Sequence, residues 1–142
     1  MADPDKTPSA DGVAQTVADV CSGFPEIRAA FVFGSTATDK RKPDSDIDVA
    51  VLVSPEHGET FSQIPVISEL EDELKRPVDV VVLNRCGEIV KFHVRRDGRL
   101  VLDRDPAFRK SFEIRGRKMW EDWLYLHKRY VDVVLYGKRY GR

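Results

Sequence analysis

Residues 31–53 read FVFGSTATDKRKPDSDIDVAVLV, and this stretch decides the fold. An apolar run ends at Gly34-Ser35; after the ten residues 36–45, Asp46-Ile47-Asp48 opens a second apolar run, Ile47 to Val53. A glycine directly after a buried strand lets the backbone turn sharply and admits a ligand close to the main chain. A helical turn beginning at Ser35 would offer free N–H groups and a dipole suited to phosphate oxygens, with the Ser35 hydroxyl as a further donor. Asp46 and Asp48 stand two apart, so on a strand both carboxylates project from one face. Such neighbours repel, and a divalent cation is the simplest relief; hard oxygen ligands favour Mg²⁺ over zinc.

Working outward, Ile27 to Phe33 (IRAAFVF) is nearly continuously apolar, as expected of a strand covered on both faces. Before it, Asp11 is placed to cap a helix running to about Cys21, with Val13, Val17 and Val20 on one face and Gly23 and Pro25 as stops. Residues 1–10, rich in Pro, Asp and Ser, read as a flexible arm, which leaves 11–142 as a single domain. On the other side, Lys40 to Asp44 is a polar loop. Ile64, Ile67, Leu70 and Leu74 predict a helix between about Glu59 and Leu74 that starts late or kinks at Pro65. Val78 to Leu83 is a third strand, Gly87 to Arg96 a short helix and Arg99 to Leu102 a short strand. From Asp105, with Pro106 in the first turn, a long helix (about 105–136) runs to about Tyr136 before Gly137. The alternation gives an α/β or α+β domain.

Asp79 interrupts the third strand. A lone ionised carboxylate in a buried strand is costly, so it should be paired or face a charged ligand. If that strand lies beside the second, Asp79 completes a triad with Asp46 and Asp48. Three carboxylates next to a phosphate-binding turn make a two-metal site for phosphoryl or nucleotidyl transfer.

Composition agrees with an ordinary globular protein. The 142 residues suffice for one domain, and 42% hydrophobic with 33% charged residues exclude wholesale disorder. No apolar run approaches the ~18 residues that span a bilayer, the first ten residues have no signal-peptide core, and the expected location is cytoplasmic. Cys21 and Cys86 offer neither metal spacing nor a disulfide framework. The net charge of −1 hides an asymmetry: residues 109–142 hold ten Lys and Arg against four Asp and Glu, so they carry +6 and the rest −7. An acidic body with a basic tail points to two surfaces with different partners or, as charge alone favours, to a charged helix that is simply well solvated.

On these residues the chain resembles the minimal nucleotidyltransferases (MNT) of the DNA polymerase β-like superfamily, whose signature is GS, ten residues, DxD. Here that signature is Gly34, Ser35, Asp46 and Asp48, preceded by Ser45 in the usual SDID wording, and the third family carboxylate falls on Asp79. The resemblance covers roughly residues 13–136 and implies a nucleotidyltransferase fold, a mixed sheet flanked by helices with a long C-terminal helix. It also implies an antitoxin that accompanies a helical HEPN-type toxin and transfers AMP from ATP to a toxin tyrosine. In that reading Gly34 and Ser35 hold the nucleotide phosphates, and Asp46, Asp48 and Asp79 serve two Mg²⁺ ions, with Asp79 placed to accept the tyrosine proton. Thr38-Asp39 stands where many relatives carry Arg-Gly; the basic triplet Lys40-Arg41-Lys42 offers its charge to the triphosphate instead.

Two other readings share parts of this evidence. A small-molecule nucleotidyltransferase acting on an aminoglycoside-like hydroxyl would use the same residues, though a chain this short leaves little room for a substrate domain. A binding module that neutralises a toxin by contact would need no turnover. Neither a membrane nor a nucleic acid is expected as partner. His57, His93 and His127 are isolated and read as surface or packing residues, whereas Arg95, Arg96 and Arg99 flank a Gly98 turn that reads equally as a solvated turn or as one from which they touch phosphate. On the last helix, Phe108, Phe112, Met119, Trp123, Leu126 and Tyr130 form one apolar stripe, and Trp120, Leu124, Val131, Val134 and Leu135 another. One stripe can cover the domain's own sheet; the second marks an interface, with a toxin or in a homodimer, unless the domain encloses the whole helix.

Overall fold

The computed structural model describes residues 10–34 and 46–138. The elements run α1 (Ala10–Ser22), β1 (Ile27–Phe33), β2 (Ile47–Val53), α2 (Ile64–Leu74), β3 (Val78–Val82), α3 (Glu88–Asp97), β4 (Arg99–Asp103) and α4 (Pro106–Tyr130), which continues as a π-helical segment, Val131–Leu135. Single 3₁₀ turns follow β2 at Pro55–His57 and β3 at Leu83–Arg85. The expected turn behind Gly34, the Lys40–Asp44 loop and residues 1–9 of the expected arm lie outside the described residues.

The strands form one mixed sheet in the order β3-β2-β1-β4. β1 pairs antiparallel with β2 and β4, whereas β2 and β3, joined through α2, run parallel. β1, β2 and β3 split their residues between two cores, because successive side chains point to opposite faces. On one face Val13, Val17 and Cys21 of α1 and Val66, Leu70 and Leu74 of α2 pack against Ile27, Val49, Val51 and Val53. On the other, Ala29, Phe31, Ala50 and Leu52 meet Leu83, Val94 of α3, and Phe108 and Phe112 of α4. Both faces of β1 are therefore covered, which is why its sequence lacks alternation.

Local chemistry sets the element ends. Pro65 lies in the first turn of α2, where its missing N–H costs nothing, so the helix begins at Ile64 and not near Glu59. Its buried line is Val66, Leu70 and Leu74, and Ile64 is left exposed. Asp105 caps α4 by accepting from the Phe108 N–H at 3.1 Å, with Pro106 next. Asp11 does not cap α1; the helix starts one residue earlier and the Asp11 carboxylate pairs with Arg99 of β4 at 2.8 Å. The far end of α1 is closed from a distance in sequence. Arg104 donates from its guanidinium to the carbonyls of Cys21, Ser22, Phe24 (3.0 Å) and Ile27 (3.3 Å). Burial pushes the Cys21 thiol up to about 12, and the half-buried Cys86 thiol is pushed up for the same reason. Both behave as small apolar groups.

The two stripes expected on α4 do not divide its surroundings. The boundary falls across the helix, between its first and second halves. Phe108 and Phe112 are partly buried, but Met119, Leu126 and Tyr130 of the same stripe are exposed. Trp120, assigned to the outer stripe, instead stacks on Phe92 of α3 at 4.4 Å between ring centroids. The column continues to Trp123 at 5.1 Å and to His127 at 4.8 Å. His93 meets the edge of Phe92, so two of the three histidines are packing partners of an aromatic column.

Candidate active site

The open corner of the sheet lies where β1 ends and β2 and β3 begin. The antiparallel register sets Phe33 opposite Asp48, and the parallel register sets Asp48 opposite Asp79. Paired residues on neighbouring strands share a face, and Asp46 joins them two positions before Asp48. This is the face that also carries Ala50 and Leu52, the one covered further along by α3 and α4.

Gly34 is built into this corner by two constraints. Its φ of +71° lies in the left-handed region that side chains avoid, and a Cβ placed there would stand 2.5 Å from Asp48 Oδ2. Any other residue would push the carboxylate away. Asp48 is half-buried, and its carboxyl is held above the usual aspartate range, first by burial and then by the negative charges of Asp79 and Asp46. The charges of Asp79 and Asp46 thus both reach Asp48.

Asp79 corrects one expectation. Burial of a lone carboxylate was the reason to seek a partner for it, yet β3 is an edge strand and Asp79 is open to water. What points to function is its register beside Asp48. Ser35 and the Lys40-Arg41-Lys42 triplet lie outside the described residues. The three arginines around Gly98 have partners of their own: Arg96 pairs with Asp97 at 2.8 Å, Arg99 with Asp11, and Arg95 lies against Gly116 of α4.

Among the described residues no three His, Cys, Asp or Glu side chains are already gathered into a metal cage. The donor set nevertheless fits a hard divalent cation. It consists of oxygen ligands, and the Asp48 carboxyl, raised first by burial and then by the charges of Asp79 and Asp46, is one that a bound cation would hold ionised. Sequence reasoning missed Phe92 and Arg104, which brace the helices around the sheet; the contacts that do so, Phe92 on Trp120 and Arg104 on the end of α1, join residues distant in the chain, and no local pattern marks them.

Comparison with known proteins gives the corner a context. The family model "Polymerase beta, Nucleotidyltransferase" matches residues 15–107. The chain is 27% identical over 108 residues to the protein adenylyltransferase MntA of Aphanizomenon flos-aquae (strain 2012/KM1/D3), covering 70% of this chain and 72% of that protein. It is similar in structure to a chain of a toxin–antitoxin crystallised with AMP-PNP, with a TM-score of 0.73 at 20% identity over 86% of this chain and 98% of that one. It is also similar to a chain of the complex between a tri-AMPylated Shewanella oneidensis HEPN toxin and its MNT antitoxin, with a TM-score of 0.69 at 18% identity over 89% and 98%. At these identities the solved structures establish a shared fold, with its mixed sheet and long C-terminal helix. No helix among the described residues is long and apolar enough to cross a membrane.

Proposed function

The chain belongs to the polymerase beta nucleotidyltransferase family, and from that premise we propose that it is the antitoxin of a toxin–antitoxin pair. It acts as a cytoplasmic protein adenylyltransferase, moving AMP from ATP to a tyrosine of its partner toxin. The observation that supports this most is the corner itself: Asp48 in register with Asp79, Asp46 two residues before, and Gly34 with no room for a Cβ against Asp48. The relatives add the acceptor. One is named a protein adenylyltransferase and another stands in complex with an AMPylated HEPN toxin, which favours a protein substrate over an aminoglycoside-like one.

Each residue then has a task. Gly34 and Ser35 would receive the triphosphate, and Gly34 lets it approach the main chain. Asp46 and Asp48 would hold two Mg²⁺ ions, with Asp79 as a further ligand on the side of the incoming hydroxyl. The ions would supply charge neutralisation at the α-phosphate and at the departing pyrophosphate. Asp79 accepts the proton of the tyrosine hydroxyl, whose oxygen bonds to the α-phosphorus as the bond to pyrophosphate breaks.

The test uses ATP labelled at the α-phosphate, Mg²⁺ and the partner toxin. Wild type labels the toxin. Asp46→Asn and Asp48→Asn lower labelling by at least about 10²-fold while the proteins stay folded, because removing carboxylate repulsion does not destabilise the corner. Asp79→Asn cuts single-turnover transfer but leaves calorimetric ATP binding largely in place. Equal labelling by the Asp46 and Asp48 variants overturns the two-metal assignment, and undiminished transfer removes Asp79 from the site. A wild-type chain that binds the toxin and labels nothing is a contact-only module.

A further inference from the structure

A pocket of about 200 Å³ opens between the sheet, the end of α3 and the first half of α4, lined by Phe31, Leu100, Arg95, Arg109, Glu113 and Arg117. Phe31 pairs with Ala50 on one side and with Leu100 on the other, and it lies two residues before Phe33, the partner of Asp48. The pocket therefore stands on the face that bears the carboxylates. Two residues of strand span about 7 Å, a gap that a diphosphate and a flexible arginine side chain bridge together.

Its charge is not balanced from within. Arg109 is spent on Asp103 at 3.0 Å and on Glu113 at 3.1 Å, whereas Arg95 and Arg117 form no ion pair among the described residues. Arg95 is partly buried, and its pKa is held below the ordinary arginine value, first by that burial; Glu88 opposes the shift, Arg117 adds to it and Glu113 opposes it again. Its seat is built into α4: Gly116 is buried, and a Cβ there would stand 2.6 Å from Arg95 Nη1. Glycine inside a helix weakens it relative to alanine, so α4 gives up stability where this guanidinium lies. Two guanidinium groups gathered without a carboxylate of their own repel, and an anion is the simplest relief.

The reaction supplies both the anion and its direction. In an in-line displacement the leaving group departs opposite the attacking oxygen. Asp79, on the edge strand β3, marks the side of the incoming hydroxyl, and β1 and β4 lie on the other side of Asp48. Pyrophosphate then departs toward β1 and β4, where Arg95 and Arg117 stand. Arginine keeps its charge at any working pH and meets phosphate oxygens with a fork of N–H donors.

We propose that Arg95 and Arg117 form the subsite for the terminal phosphates of ATP, holding them in the bound nucleotide and as pyrophosphate once AMP is transferred. The proposal rests on the adenylyltransferase reading. As the acceptor oxygen bonds to the α-phosphorus, the bond from that phosphorus to the bridging oxygen breaks and its electron pair passes to pyrophosphate. The two guanidinium groups offset the charge that gathers there and neither take nor give a proton.

The test is calorimetry on the full-length chain in Mg²⁺ with ATP, inorganic pyrophosphate and AMP, which lacks the terminal phosphates. Pyrophosphate should displace ATP competitively. Arg95→Gln combined with Arg117→Gln should weaken ATP and pyrophosphate by about tenfold or more and leave AMP within about twofold. Arg117→Gln alone, at an exposed position, should produce part of that loss with the melting temperature of wild type, which separates binding from folding. No uptake of pyrophosphate by wild type, wild-type affinity in the double variant, or an equal loss for AMP overturns the proposal. So does pyrophosphate that binds through the arginines without displacing ATP, which would make the pocket a separate anion site. AMP transfer to the toxin is measured separately with labelled ATP. If wild type labels nothing while pyrophosphate and ATP still compete through the arginines, the adenylyltransferase reading fails and the subsite remains. If wild type labels the toxin and the double variant does so with an unchanged KM for ATP, the subsite proposal fails and the enzyme reading remains.

Discussion

At Gly34, two independent constraints meet in one residue: a left-handed backbone and a carboxylate oxygen where a Cβ would stand. Gly34→Ala should therefore act at a distance of one side chain, by displacing Asp48. The expected result is loss of AMP transfer comparable with that of Asp48→Asn, about 10²-fold, together with a modest loss of stability, of order 1 kcal/mol, from the strained φ. Transfer kinetics beside a thermal melt check this, and a fully active Gly34→Ala protein would show that the close approach has no role. Glycine and the two aspartates of the DxD pair were legible in the sequence because their chemistry is local. The role proposed for Asp79 was read from its burial in a strand, and the structure corrects that reason: it is an exposed residue of an edge strand, brought to Asp48 by parallel pairing.

At the scale of elements, the ends of helices show how far sequence reasoning reaches. Asp105 and Pro106 start α4 as their spacing implies, since a cap and its helix are neighbours in the chain. The C-terminal carbonyls of α1 are satisfied by Arg104, which lies 82 residues beyond Ser22. Arg104→Met keeps much of the stem but leaves the carbonyls of Cys21, Ser22, Phe24 and Ile27 without that donor. It should cost about 1.5–3 kcal/mol, the scale of hydrogen bonds to a charged group, read as a lower urea midpoint with an unchanged slope. A midpoint equal to wild type would mean that water replaces the guanidinium without penalty.

For the whole molecule, the division of α4 into a covered and an uncovered half separates two residues that the sequence put on one stripe. Trp120 stacks on Phe92 and Trp123, whereas Leu124 is 45% exposed. Trp120→Ala should cost on the order of 2–3 kcal/mol, somewhat less than a fully buried tryptophan because it is only half-covered. Leu124→Ala should change folding stability by no more than about 0.5 kcal/mol. Thermal melts of the isolated chain decide, and a large drop with Leu124→Ala would place that side chain in the domain's own core.

The sequence by itself determined the order of elements, the apolar strands, the glycine turn and the DxD pair, because each depends on residues within a few positions of one another. Hydrophobic period fixes a strand or helix, and a short motif fixes which side chains share its face. Only the tertiary structure decided that β3 is an edge, that Asp79 stands beside Asp48, that Arg104 closes α1, and that α4 leaves its domain after Trp123. These facts depend on which elements become neighbours. An amphipathic pattern states that a face must be covered, and the packing of the whole chain settles whether its own domain covers it.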